Sequence, residues 1–167
     1  EGFAVLASGN HEQAAQVGLQ LVTLYPEEPG VWHFSGVTEL SRSNIEQATT
    51  LLERALSLDP NNVAYHLDHA RCCLAAGSRN DALRSLDRAA RLGIESTKLL
   101  NEIGVLYGLC EYQEKAAPFL ERAVQADPRP EYLYNLGAAQ RMLGEIAGAE
   151  DSFSRVIAVN PFNCRTH

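Results

Sequence analysis

The sequence has no run that approaches the roughly 18 consecutive apolar residues of a membrane-spanning helix, so no membrane span is expected. It has no basic region followed by an apolar leader, and no initiating methionine. The expectation is a segment of a longer chain, with any targeting signal out of view. Cysteines are few, four in 167 residues, and two of them, Cys72 and Cys73, are adjacent. Neighbouring cysteines pair only with strain, so free thiols in a reducing compartment, and a cytoplasmic location, are predicted. Nucleophile-elbow, P-loop and dinucleotide fingerprints are all missing. No catalytic residue, cofactor site or metal site is expected, and the chain reads as no enzyme. Positive charge is also short. The formal net charge is −7, which argues against a nucleic-acid surface, because phosphate affinity rests on clustered Lys and Arg. What is present is an ordinary globular balance of 46% hydrophobic and 21% charged residues, enough for one folded domain.

The chain repeats itself. The segments "LSLDPNN", "VQADPRP" and "IAVNPFN" each end an apolar helical stretch at a proline, Pro60, Pro128 and Pro161, and Pro26 in "LVTLYPEEP" is a fourth. Pro26 to Pro60 is 34 residues, Pro60 to Pro128 is twice that with Ile94 at the midpoint, and Pro128 to Pro161 is 33. Proline cannot continue a helix, so these are helix stops on one ruler. Ala14, Ala48, Ala82, Ala116 and Ala149 fall on the same ruler, as do Gly36, Ala70, Gly104 and Gly137, with Leu52, Leu86, Leu120 and Phe153 as the bulky column. Small residues at fixed places let helix backbones approach, and the bulky column fills the layer between them.

These columns resemble the tetratricopeptide repeat, a 34-residue helix–turn–helix unit with a W-x₂-L-G-x₂-Y, A-x₃-F, P pattern. "LLNEIGVLY" with "AAPFL", "LYNLG" with "AEDSF", and Trp32 with Gly36 are the best copies. The resemblance implies an all-α fold, a right-handed superhelical solenoid of antiparallel helix pairs (a tetratricopeptide-like α-solenoid). The register predicts helices over 11–24, 29–42, 45–58, 63–76, 79–92, 97–110, 113–126, 130–143 and 146–159. The array divides into a partial repeat 1–28 (the end of a first helix and a whole second helix), repeats 29–62, 63–96, 97–129 and 130–163, and the start of a further helix at 164–167. Residues 109–116 are expected to hold a shortened turn. Pro118 falls in the first turns of the helix after it, where its missing N–H matters least, and the link after Pro128 is one residue short.

The stretch "AYHLDHARCC", residues 64–73, carries zinc-binding residue types. His66, His69 and Cys73 share one helix face. The repeat register puts His66 at the tryptophan position, His69 at the leucine position and Cys73 at the tyrosine position. That is the packing face, and a tetrahedral zinc site needs four ligands, usually from more than one segment. The structural reading is therefore preferred, with buried neutral histidines that need hydrogen-bond partners.

In this family the first helices of successive repeats line a concave groove that binds an extended peptide or a partner's helix. The leading expectation is a non-catalytic protein–protein interaction scaffold of that kind. Groove positions include His33, Val37, Leu40, Arg71, Lys98, Asn101, Val105, Gly108, Tyr134, Ala138 and Arg141. His33, Arg71, Lys98, Asn101, Tyr134 and Arg141 are the partner-binding candidates. Arg71, Lys98 and Asn101 suit an acidic group, since Arg takes a carboxylate bidentately and Asn offers donor and acceptor. The chaperone-tail clamp of some relatives does not fit: its first lysine would be His33 or Leu67, and its asparagine Asp68 or Glu102. Two alternatives are an accessory region of a larger enzyme, such as a bacterial sulfotransferase or glycosyltransferase, that positions substrate or mediates dimerisation, and self-association through exposed solenoid ends.

Overall fold

A computed structural model describes residues 10–159. Among the described residues there are nine α-helices and no strand: α1 His11–Leu24, α2 Pro29–Ser41, α3 Ile45–Leu58, α4 Val63–Ala75, α5 Arg79–Ala90, α6 Thr97–Leu109, α7 Gln113–Ala126, α8 Pro130–Leu143 and α9 Ile146–Val159. The expected helix pieces at 1–8 and 164–167, and the Pro161 stop, lie outside the described residues. The chain divides into two compact units, Glu1–Leu92 with α1–α5 and Gly93–His167 with α6–α9. Within each unit, successive helices pack on one another.

The helix ends follow from local chemistry. Asn62 accepts from the backbone N–H groups of Ala64 and Tyr65 and so caps α4. Ser96, 34 residues on, caps α6 through Leu99, and Pro29 and Pro130 occupy first turns, where no N–H is needed. The stop prolines sit two residues past the ends of α1, α3 and α7. Where Ile94 replaces that proline, the helix stops early instead. Arg91 and Leu92 tighten into bonds to Arg88 and Ala89, and Gly93 takes φ +71°, so α5 is two residues shorter than the ruler predicts.

The turns inside the pairs are one device used four times. Ser43, Gly77, Glu111 and Gly144 all have positive φ, between 64° and 79°. Each donates its N–H to the carbonyl three residues back, and the next residue donates to the carbonyl five back. The turn at 109–116 is therefore not shortened. It has the same bonds as its counterparts, and the missing residue of the ruler lies in the 127–129 link between α7 and α8. Pro118 is the sixth residue of α7 and is exposed, so the bond it removes is one on the solvent side.

The glycine column works by close approach. A Cβ on Gly36 would lie 2.7 Å from Leu52 Cγ, one on Gly104 would lie 2.6 Å from Leu120 Cγ, and one on Gly137 would lie 2.8 Å from Phe153 Cε1. The alanine column is fully buried at Ala14, Ala48, Ala82 and Ala116. In unit 1, Ala48, Leu52 and Cys72 form a core cluster with Val37, Leu40 and Ile45 around it. Each fully buried leucine of this kind contributes about 1.5–3 kcal/mol. No helix of the described residues is long and apolar enough to cross a membrane.

Candidate functional site

An α-helix turns 100° per residue, so α4 shows two opposite faces. His66, His69 and Cys73 lie on one, Asp68 and Arg71 on the other. Each face has its own structure.

On the Asp68 face, α2 and α4 meet through side chains. His33 Nε2 donates to Asp68 Oδ2 at 2.7 Å, and the His33 ring stacks on Tyr65 with centroids 4.5 Å apart. Arg71 Nη1 donates to Asp68 Oδ1 at 2.5 Å. Burial alone would raise the Asp68 carboxyl, but the His33 hydrogen bond and charge, together with Arg71, outweigh it and hold the group below its ordinary value. Two of the candidate residues, His33 and Arg71, are thus brought together, by an aspartate not singled out from the sequence. Arg71 is directed first at Asp68, which leaves less of its charge for an external carboxylate.

In unit 2 the corresponding face of α6 and α8 is different. Asn135 Nδ2 donates to Asn101 Oδ1 at 2.9 Å, and Asn101 is buried. Beside them is a pocket of about 180 Å³ lined by Val105, Gly108, Ala138, Leu109 and Met142 among others. Tyr134, 59% exposed, tilts against Phe153, and Met142 is 65% exposed. Lys98 and Arg141 are exposed and do not line the pocket. Of the residues the sequence suggested, Val105, Gly108 and Ala138 line it, while Asn135, Leu109 and Met142 went unnoticed. Asn135 was findable from the ruler, which puts it on the column of Asp68 and puts Asn101 on the column of His33, so the Asn101–Asn135 bond repeats the His33–Asp68 pairing.

The opposite face of α4 explains "AYHLDHARCC". The Trp32 indole N–H donates to the carbonyl of Pro26 at 2.8 Å, and His66 Nε2 donates to the carbonyl of Pro60 at 2.8 Å. Both spans are six residues and both start on the same column, so His66 does the tryptophan's work with an imidazole. His69 Nδ1 pairs with Ser85 Oγ at 2.7 Å. Burial pushes the His69 pKa down. Cys72 sits against Thr49 Oγ1 at 3.1 Å. Burial, with Asp81 and other nearby charges, pushes the Cys73 thiol up to about 11. Cys72, Cys73 and Cys110 are buried and form no disulfide among the described residues, and burial pushes the Cys72 thiol up as well, so Cys72 and Cys73 are core thiols held in the protonated form at neutral pH.

Antiparallel helix pairs on a 34-residue ruler, with small residues at the crossings and capped first helices, define a helical repeat protein. Three family models, each described as tetratricopeptide repeat, match residues 39–92, 97–130 and 114–163, and the chain belongs to the tetratricopeptide repeat family. No curated protein sequence matches it. Among solved structures it is similar to MamA residues 41 to the end from Desulfovibrio magneticus RS-1, at 19% identity, covering 99% of this chain and 93% of that one, with a TM-score of 0.79. It is also similar to TTC0263, a thermophilic tetratricopeptide protein of Thermus thermophilus, at 18% identity, 96% and 89% coverage and TM-score 0.73. A third likeness is to YrrB, described as having an unusual peptide-binding site, at 20% identity, 88% and 76% coverage and TM-score 0.74. At these identities the likeness is one of fold: an all-α tetratricopeptide solenoid.

Proposed function

We propose that the chain is a non-catalytic protein-interaction scaffold whose first helices, α2, α4, α6 and α8 of repeats 29–62, 63–96, 97–129 and 130–163, take a peptide or partner segment. The observation that carries this reading is the α6–α8 face. Exposed Met142 lines a small pocket together with exposed Leu109, and exposed Tyr134 stands on the same helix beside the pocket residue Asn135, a grouping of large apolar side chains of the kind that forms interaction anchors. The Asn101–Asn135 bond uses one donor and one acceptor. Asn101 Nδ2 and Asn135 Oδ1 are the complementary pair that a peptide unit matches. Lys98 and Arg141 flank as solvated cations suited to acidic groups on the same partner. In unit 1, Tyr65, His33 and Arg71 form the equivalent polar and aromatic wall. The peptide-binding site for which YrrB is described supports the same kind of use.

The test is selection from a displayed peptide library followed by calorimetry on an enriched peptide. Tyr134→Ala and Met142→Ala are each expected to weaken binding roughly fivefold or more, and Arg141→Glu to change its salt dependence. Arg71→Glu and Lys98→Glu, made separately, report on each unit. An enriched peptide whose affinity ignores Tyr134 and Met142 would remove the α6–α8 face from the site.

A further inference from the structure

The His69 face of α4 floors a furrow between α3 and α5, with a volume of about 570 Å³. One repeat earlier, the equivalent furrow between α1 and α3 encloses about 240 Å³. Comparing the two on the 34-residue ruler separates what the packing needs from what it does not. Leu19, Ser35, Gln47 and Leu51 in the first furrow become Glu53, His69, Asp81 and Ser85 in the second. The first furrow has its charged groups, Glu12, Glu39 and Arg42, at other places and leucines at two of these four, so the fold does not demand a carboxylate and a histidine at these positions.

We propose that this furrow binds a small organic cation, a primary ammonium or a guanidinium group, between Glu53, His69 and His66. Three observations converge on that chemistry. His69 Nε2 and Glu53 Oε1 face each other at 3.9 Å, too far for a hydrogen bond and the right span for one N–H donor group to reach both. His66 lines the furrow at 3% exposure. Its Nε2 proton goes to Pro60, and its Nδ1, enclosed by the protein, has no hydrogen-bond partner among the described residues. Trp32 leaves no such atom at the equivalent place. Finally, Glu53 and Asp81 both act electrostatically on His69 and on Cys73. Arg84 and Asp81 satisfy each other, and Arg88 also lines the furrow, so Glu53 beside His69 is the carboxylate left to meet a cation. An ammonium has three donors and no acceptor, so with His69 Nδ1 donating to Ser85 it matches the His69 Nε2 lone pair and the Glu53 carboxylate, with the enclosed His66 Nδ1 as the third acceptor within the same lining.

The site is separate from the peptide-binding face, so either reading can fail alone. The experiment is NMR of the histidine Cε1–H resonances at fixed pH and ionic strength, with His66 and His69 assigned from His66→Gln and His69→Gln. The probes are agmatine, putrescine and a blocked Gly-Arg-Gly tripeptide, each raised to about 10 mM, the range of weak site binding. Saturable shifts of the His69 and His66 resonances are expected, weakened roughly tenfold or more in Glu53→Gln, as for loss of a charge-assisted contact. Shifts with the free amines alone would make the ligand a free small molecule, and shifts with the tripeptide alone would make it an arginine side chain of a partner. No saturable shift with any probe, shifts that Glu53→Gln leaves unchanged, or stronger shifts with acetate and inorganic phosphate would overturn the proposal.

Discussion

Replacing Ser43 by glycine should stabilise the protein, and the size follows from one dihedral. Ser43 has φ 64°, a conformation that costs an L-residue roughly 1–2 kcal/mol. Glycine takes it freely but gives up roughly 0.5–1 kcal/mol of extra chain entropy on folding. The net expectation is a gain of about 0.5–1 kcal/mol, since Ser43 is exposed and its part in the turn is the backbone bond to Leu40. Gly77 is the counterpart one repeat later, at φ 76°, with nothing within 4 Å of a built Cβ. Gly77→Ser should therefore lose about what Ser43→Gly gains, through the backbone alone. Urea denaturation and thermal melting measure both, with about 2–4 °C per kcal/mol for a chain of this size. The two sites share no partners, so the double variant should return close to wild type. Destabilisation by Ser43→Gly, or shifts of the same sign in both variants, would refute the account of the turn.

Gly104→Ala should destabilise by about 1–2 kcal/mol in urea, because overpacking against Leu120 Cγ and the Ala116 carbonyl exceeds the roughly 1 kcal/mol of helix propensity gained. Adding Leu120→Val should recover part of that loss, a coupling that independent sites would not show. Asp68 is held below its ordinary value, so its pairing with His33 and Arg71 stabilises fully above about pH 3.9 and is lost as pH falls through the lower folded value; Asp68→Asn should flatten that part of the acid-denaturation curve. His69 is also pushed down, chiefly by burial. Its contribution is complete above about pH 6.5 and declines as pH falls toward its folded value, a slope that His69→Gln should remove from melting temperatures. The Cys73 thiol, raised to about 11 and buried, should react slowly with a thiol reagent at pH 8 and much faster in urea; equal rates would contradict its burial.

Much of the backbone was legible in the sequence because repetition multiplies weak signals. One proline says little, but Pro26, Pro60 and Pro128 on a common ruler fix helix ends to within two residues. The ruler also assigned His66, His69 and Cys73 to the packing face of α4, whatever zinc-like composition they carry. Steric and dihedral rules of this kind are local, so sequence alone determines them. The early stop of α5 departs from the ruler for a local reason too, the absent proline and the positive φ of Gly93.

What only the tertiary structure decided is which polar groups meet. Asp68 claims His33 and Arg71, and Asn135 occupies the carbonyl of Asn101, so residues that read as open groove contacts are partly spent on neighbours. Leu109 and Met142 stand on one column of the repeat, which holds Ser41 and Ala75 in unit 1, and only the packed α6–α8 pair shows that both line one pocket. The furrow between α3 and α5 exists because two helices flank a third at a particular spacing, and only there do Glu53, from one helix, and His69, from another, come within 3.9 Å. Periodicity fixes the face on which a side chain lies. Partner choice depends on side-chain reach across helices far apart in sequence, and the sequence carries that information only through the packed fold.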